Sequence, residues 1–195
     1  MRIDDMSDEE VEAFLAAHED EPEQDAHGGE YGVALACSGA LGGFASAQLL
    51  LAELHLARHP DEALTCDVTA TFGCSTFLNA WQGHLLGVPN ALLGLAFFSG
   101  LLALGLVYIL GSRPRIEPLL GVGAACGTVA LIWFAYQSVN AGVLCPWCLA
   151  AWIATVPYIG LTAARLAPPL RAKRWWLVAG GYLLTAIIAA LIILG

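Results

Sequence analysis

Four of the six cysteines form two pairs whose spacings suit thiol chemistry. Cys145 and Cys148 have two residues between them in LCPWCLAAW, and Cys66 and Cys74 have seven between them in CDVTATFGC. Pro146 fits the first turn of a helix, where a missing N–H costs no hydrogen bond, so we expect Cys145 at or next to the N-cap. The positive end of a helix stabilises a thiolate, the attacking species in disulfide exchange. The C-x-x-C pair is therefore predicted to open and close a disulfide.

Other readings of the two pairs are a static structural disulfide and half of a zinc site. Structural zinc usually takes two short-spaced pairs, which the spacing of Cys66 and Cys74 does not provide. No His follows Cys148, so a c-type haem attachment is excluded. We expect no metal, and a relay in which one pair reaches the other through a mixed disulfide. Cys37 and Cys126, predicted mid-span as small hydrophobic residues, are left outside this site.

The elements that must position these cysteines are membrane-spanning helices. Hydrophobic residues make up 58% and charged residues 13% of the 195, against roughly half and about a quarter in soluble domains. A spanning helix needs ~20 mostly apolar residues. Five stretches qualify, at residues 31–54, 89–110, 117–139, 144–166 and 175–194. The predicted fold is an all-α membrane protein, with a four-helix transmembrane bundle and a fifth transmembrane helix, surrounded by lipid and binding no nucleic acid.

The basic residues predict how the spans are oriented. Seven of the eight fall on one face, and they are Arg2, Arg113, Arg115, Arg165, Arg171, Lys173 and Arg174. Only Arg58 falls on the other face. Because cytoplasmic loops carry the excess of Lys and Arg, the N-terminus is predicted to be cytoplasmic. Both cysteine pairs then lie on the extracytoplasmic side, where disulfides persist.

Two segments outside the spans have a distinct composition. Residues 1–30 hold twelve of the seventeen Asp and Glu, which predicts an acidic, largely disordered cytoplasmic tail. After Cys74, five apolar residues recur at largely helical spacing on a stretch too short to span: Phe77, Leu78, Trp81, Leu85 and Leu86. This pattern predicts an interfacial half-helix within the extracytoplasmic loop. His84 in this stretch is either a proton donor or, as is more common for an isolated His near an interface, simply solvated.

The order of motifs resembles the vitamin K epoxide reductase family, including its bacterial homologues. CDVTATFGCS comes first, VPNALLG follows, and CPWC comes last with Trp152 four residues after Cys148. The likeness covers residues 31–166, which it implies form a four-helix catalytic domain. Residues 167–195 are then a basic linker and an additional fifth helix. The family likeness also implies a multi-pass protein of a bacterial plasma membrane.

The resemblance implies a role for each paired cysteine. Cys66 is similar to the outer shuttle cysteine, which receives electrons from a thioredoxin-fold, DsbA-like partner that we expect to be a separate protein. Cys74 is similar to the inner shuttle cysteine, which exchanges with Cys145. Cys148 is similar to the cysteine that faces the quinone, the electron acceptor, of menaquinone, ubiquinone or vitamin K type. The implied activity is quinone-dependent disulfide oxidoreduction that supports disulfide formation in exported proteins.

The resemblance also implies a quinone pocket. Asn90 matches an asparagine that donates to a quinone carbonyl, and Phe97 falls where an apolar residue lines the pocket. Two positions depart from the family: Ala80 stands where many members have Ser, and Trp152 stands where the animal enzymes have Tyr. The indole of Trp152 donates a hydrogen bond but cannot accept one, which favours quinone reduction over an epoxide substrate.

Two rival functions remain at this point. The first is the DsbB type of quinone-linked oxidase, in which the C-x-x-C pair comes first in the chain, whereas here it comes last. The second is a noncatalytic scaffold or small transporter whose outer cysteines only staple the fold. A transporter is expected to carry polar or ionisable residues inside its spans, and the predicted spans have almost none.

Overall fold

The fold is described from a computed structural model that covers residues 7, 11–12, 21–84, 86–112, 114 and 116–194. In chain order the helices are α1 (Glu21–Arg58), α2 (Ser75–Leu78), α3 (Asn90–Ile109), α4 (Glu117–Ala141), α5 (Pro146–Leu166) and α6 (Arg174–Leu194). Short 3-10 helices lie at Trp81–His84 and Pro168–Lys173. Among the described residues, five helices are long and apolar enough to cross a membrane. The all-α, multi-pass membrane fold predicted from the sequence is confirmed.

The first helix begins earlier than its hydropathy suggests. α1 starts at Glu21, and its apolar part is Gly28–Arg58, so the helix begins within the segment predicted as an acidic tail. Near the start of the apolar part, Glu30 Oε2 lies 3.3 Å from Arg174 Nη2 at the start of α6. The rest of the predicted acidic tail lies outside the described residues, apart from residues 7 and 11–12. Arg113 and Arg115, on which the orientation partly rests, also lie outside them.

Close packing of α1 against α3 forms the framework of the bundle. A Cβ added at Gly39 would collide with the backbone of Leu102, and one added at Gly105 would collide with the backbone of Ala36. Small residues allow helix backbones to approach this closely, which is the main source of helix association in lipid. The absence of side chains at these two glycines therefore fixes how α1 and α3 meet.

Helix α5 passes through the middle of the bundle and connects its two ends. Half of its most apolar window is buried, against a third or less in the other long helices. It has 21 residues, so it is about 30 Å long. Cys145 precedes its first residue, and Arg165 near its last turn lies 3.7 Å from Glu117 and over the ring of Tyr31. The cysteines and this ion pair thus lie at opposite ends of the bundle.

Candidate active site

The two cysteine pairs meet at one end of the bundle. Cys66 and Cys74 are joined by a disulfide with their Cα atoms 5.8 Å apart, and Cys145 and Cys148 are free thiols. Cys145 Sγ lies 3.6 Å from Cys74 Sγ, which is van der Waals contact between two sulfurs. Both of these sulfurs are buried, since the exposed fraction is 0% for Cys74 and 1% for Cys145. The geometry allows a thiolate on either cysteine to attack the other.

Backbone pairing brings these two cysteines together. The loop that carries Cys74, residues 59–74, is called the cysteine loop below. Phe72 in this loop forms an isolated parallel bridge with Leu144. Gly73 N–H donates to the Leu144 carbonyl at 3.0 Å, and Leu144 N–H donates to the Thr71 carbonyl at 2.7 Å. Cys74 follows Gly73 and Cys145 follows Leu144, and because Gly73 is hydrogen-bonded to Leu144 this pairing places the two sulfurs side by side.

Asp67 organises the cysteine loop in a way that the sequence analysis missed. Its Oδ1 accepts hydrogen bonds from the backbone N–H of Cys74 at 2.6 Å and of Ser75 at 3.1 Å. The carboxylate thus caps α2, whose N-cap residue makes no side-chain cap of its own. Partial burial acts to raise the pKa of Asp67, but hydrogen bonds donated by Ser75 and Cys74 outweigh it and lower the pKa. An acid eight residues before a short helix gives no recognisable capping signal, because a capping side chain is expected at the N-cap position itself.

Cys145 occupies the N-cap of α5, which confirms the prediction from Pro146. Its sulfur accepts a hydrogen bond from the backbone N–H of Cys148 at 3.2 Å. A hydrogen bond from the Cys148 thiol lowers the pKa of Cys145, and the backbone N–H groups of Cys148 and Trp147 lower it further, against the opposing effect of burial. Cys145 is therefore the member of its pair that is more readily a thiolate, and it is also the one in contact with Cys74.

A cavity of about 650 Å³ opens beside Cys148. Ligand pockets of roughly 300 to 1,000 Å³ are typical for small molecules and cofactors. Asn90, Phe97 and Trp152, the three residues predicted for a quinone, line this cavity together with Cys148. Their contact with a quinone stays a prediction. Cys126, which the sequence analysis left out of the site, also lines the wall, whereas Cys37 is exposed and does not line it.

Polar groups gather at the end of the cavity nearest the cysteine loop. Asn90 Nδ2 donates to the Gln82 carbonyl at 2.5 Å, so its amide is already oriented. Gln82 Oε1 is buried with no hydrogen-bond partner among the described residues, and it belongs to a side chain that lines the cavity. Glu53 lines the cavity as well, and its Oε1 lies 2.6 Å from His84 Nε2. His84 is thus paired, which the sequence pattern had not indicated.

The segment that covers this end differs in detail from the predicted half-helix. It consists of α2 and the 3-10 helix Trp81–His84, two short elements in place of one continuous amphipathic helix. Gly83 allows the 3-10 helix to pack closely against α2, because a Cβ at this position would lie 2.7 Å from the Phe77 carbonyl oxygen. Phe77, Leu78 and Leu86 point to the cavity, and Leu85 lies outside the described residues. The position of this segment at a membrane interface stays a prediction.

Comparison with protein families gives one match. A model described as the Vitamin K epoxide reductase family matches residues 33–163, about two thirds of the chain. The matched range includes both cysteine pairs and the residues that line the cavity, and it ends before α6. Comparison with curated proteins and with solved structures finds no match. Within the described residues there is no cluster of three or more His, Cys, Asp or Glu placed to hold a metal ion.

Proposed function

The chain belongs to the vitamin K epoxide reductase family, multi-pass membrane oxidoreductases that work with thiol partners and quinones, and on that premise we propose a specific electron path for it. Electrons enter at Cys66 from a thioredoxin-fold, DsbA-like partner, pass through Cys74 and Cys145, and leave from Cys148 to a quinone. The observation that carries this proposal is the 3.6 Å contact between Cys74 Sγ and Cys145 Sγ, with Cys148 on the cavity wall. The partner leaves oxidised and is then able to form disulfides in exported proteins.

The first half of the cycle is thiol–disulfide exchange. A thiolate of the partner attacks Cys66 Sγ, the bond between Cys66 and Cys74 breaks, and its electron pair leaves on Cys74. The partner's second thiol resolves the mixed disulfide and frees Cys66. Cys74 thiolate then attacks Cys145 in the oxidised inner pair, which releases Cys148. Attack of Cys66 on Cys74 re-forms the outer disulfide and leaves Cys145 and Cys148 reduced.

The contacts of the cysteines support this order of steps. Cys145 is the inner cysteine that touches Cys74, and Cys148 is the one that lines the cavity. The lowered pKa of Cys145 makes it a good leaving group when Cys66 attacks Cys74, since thiols of low pKa leave faster in disulfide exchange. The inner pair is therefore suited to receive electrons from the outer pair and to release them on the cavity side.

The second half of the cycle reduces a quinone in the cavity. The inner pair gives up two electrons and forms its disulfide, and the quinone takes the two electrons and two protons to become a quinol. An apolar cavity suits an isoprenoid quinone of menaquinone, ubiquinone or vitamin K type, which is soluble in the bilayer. A donor on the quinone carbonyl favours the negative charge that develops on reduction. Asn90 is the proposed donor, and Trp152 offers a second N–H from the same wall.

The orientation belongs to the same proposal. The N-terminus faces the cytoplasm and the cysteine pairs face the extracytoplasmic side of a bacterial plasma membrane. The support is the clustering of Arg165, Arg171, Lys173 and Arg174 at the bundle end opposite the cysteines. Cysteine accessibility to a membrane-impermeant alkylating reagent in intact cells, after mild reduction, tests which compartment the cysteine loop faces.

The path is tested by trapping it with Cys148→Ser. In the full-length protein in detergent or nanodiscs, a reduced thioredoxin-fold protein is the electron donor, and ubiquinone and menaquinone analogues are the acceptors. The variant should lose quinone reduction. In samples held without the donor, Cys145 should attack Cys74 of the outer disulfide and release Cys66, which leaves a disulfide between Cys74 and Cys145 that peptide mass spectrometry identifies. Cys37→Ser, which changes a cysteine that does not line the cavity, is the matched control and should keep its activity. Quinone turnover by Cys148→Ser at the parent rate would refute the terminal role of Cys148.

A further inference from the structure

We propose that Glu53, with His84 behind it, delivers a proton from the aqueous face to the quinone in the cavity. Glu53 lies within α1 and lines the cavity, and His84 lies at the end of the 3-10 helix Trp81–His84. Glu53 Oε1 and His84 Nε2 are 2.6 Å apart, which is a short hydrogen bond. The inference rests on the proposed function, because it assigns the proton source for quinone reduction.

The pair has one member on the cavity wall and one exposed at the protein surface. The side chain of Glu53 is 16% exposed, and that of His84 is 40% exposed. A proton that reaches the exposed imidazole of His84 is thus one hydrogen bond away from a carboxylate that borders the cavity. A largely enclosed acid that is hydrogen-bonded to one exposed titratable group has the arrangement needed to pass a proton inward.

The proton balance of quinone reduction requires such a donor. The quinone gains two electrons and two protons, and the electrons come from oxidation of the inner pair to its disulfide. Cys148 brings one proton as a thiol. Cys145 is not among the described residues that line the cavity, so a proton on its sulfur has no direct route to the quinone. One proton per turnover must therefore reach the quinone from another group.

Few groups on the cavity wall are able to supply it. Among the described residues that line the cavity, the titratable side chains are Glu53, Cys126 of α4 and Cys148 of α5. His84 is in contact with Glu53 and the two cysteines line the same cavity, while His55 on the same helix is directed to Glu62 at 3.0 Å. Of these, only Glu53 both borders the cavity and is hydrogen-bonded to an exposed titratable side chain.

The alternative is a purely structural pair that ties the 3-10 helix to α1 and keeps the cavity closed. Glu53→Gln separates the two possibilities, because an amide retains a hydrogen bond to His84 but is not a useful proton donor. If the pair only keeps the cavity closed, Glu53→Gln should retain activity. If the pair delivers a proton, Glu53→Gln should lose activity. Glu62→Gln is the matched control, because Glu62 is the acid of a second His–Glu pair near the same end of the bundle and does not line the cavity.

The experiment is single-turnover quinone reduction by full-length protein with its inner pair reduced beforehand, followed by quinone absorbance from mildly acidic to mildly alkaline pH. Proton donation typically contributes about 100-fold or more to a rate, so Glu53→Gln should slow the step by about that factor and flatten its decline toward high pH. Glu62→Gln should match the parent. Exchange between reduced partner and the Cys66–Cys74 disulfide, measured on the same samples, should be unchanged in all of them.

Several outcomes would overturn the inference. One is a Glu53→Gln rate within twofold of the parent with the same pH profile, and another is a change confined to the quinone KM. Should Glu53→Gln fail to fold, as judged by lost partner exchange, His84→Gln decides: the inference requires a slower step that added imidazole restores, and an unaltered rate refutes it. A parent protein that reduces no quinone at all would instead refute the proposed function.

Discussion

Replacing Asp67 is expected to loosen the contact between the two cysteine pairs without touching any cysteine. Once the bond between Cys66 and Cys74 opens during turnover, the Phe72–Leu144 bridge and the Asp67 carboxylate are what hold Cys74 against Cys145. Asp67→Ala removes the acceptor of two backbone hydrogen bonds, at 2.6 Å and 3.1 Å. Loss of a helix cap of this kind costs about 0.5 to 2 kcal/mol, and the two donors on one partly buried oxygen favour the upper half of that range.

The cost converts to a measurable change in effective concentration. A loss of about 1 to 2 kcal/mol corresponds to a roughly 5- to 30-fold lower population of the aligned arrangement. In a Cys66→Ser, Cys148→Ser background, Cys74 and Cys145 are left to form one disulfide. Its equilibrium with a glutathione buffer, read by alkylation and mass spectrometry, reports how well the two sulfurs are aligned. Asp67→Ala should lower that effective concentration by the stated factor.

The controls separate the cap from general effects of charge. Asp67→Asn keeps an oxygen acceptor and should lose less than Asp67→Ala, whereas Asp61→Ala, an exposed acid in the same loop, should have no effect. The capping contribution is present above the ordinary pKa of 3.8 and is lost as pH falls through the lowered pKa of Asp67. The Asp67 effect should therefore be constant at neutral pH. An effective concentration equal to the parent's in Asp67→Ala would refute the positioning role.

Three further predictions follow from the site and the fold. Asn90→Ala should raise the quinone KM by about 5- to 10-fold, the value of roughly one hydrogen bond, and leave partner exchange unchanged; an unchanged rate at limiting quinone would count against the pocket. Cys148→Ala removes the thiol donor to Cys145, so the pKa of Cys145 should rise toward its ordinary 9.0, as read by titration of thiolate absorbance. A pKa that stays in place would show that the backbone donors alone set it. Gly105→Ala should destabilise the bundle by about 1 to 3 kcal/mol through overpacking, measured by thermal unfolding in detergent, whereas Gly100→Ala on the same helix meets open space and should be neutral. Equal melting temperatures for these two variants would contradict the close contact of α1 and α3.

Features that depend on local sequence were predictable. The spanning helices follow from uninterrupted apolar stretches, and the N-cap position of Cys145 follows from Pro146 next to it. The resemblance carried the assignment of Asn90, Phe97 and Trp152 to a pocket, and these residues do line the cavity beside Cys148. Whether they bind a quinone awaits the experiments above.

Features that depend on contacts between distant segments were not predictable. Glu53 and His84 are 31 residues apart, and neither carries a pattern that marks a pair. The contact between Glu30 and Arg174 was missed because these residues are 144 positions apart. Cys126 was predicted to be only a small hydrophobic residue within a span, because one sequence does not reveal which face of α4 borders a cavity.

The bridge between Phe72 and Leu144 determines which substitutions and insertions the protein tolerates nearby. It is made by main-chain groups of Thr71, Gly73 and Leu144, so the identity of most side chains there is immaterial to the alignment. Proline is the exception at positions 73 and 144, because it has no N–H to donate. Length is the stricter requirement: one inserted or deleted residue between Phe72 and Cys74 would turn the following side chain to the other side of the strand-like segment. The number of residues between the bridge and Cys74 is therefore a stricter requirement than the identity of the side chains in the loop.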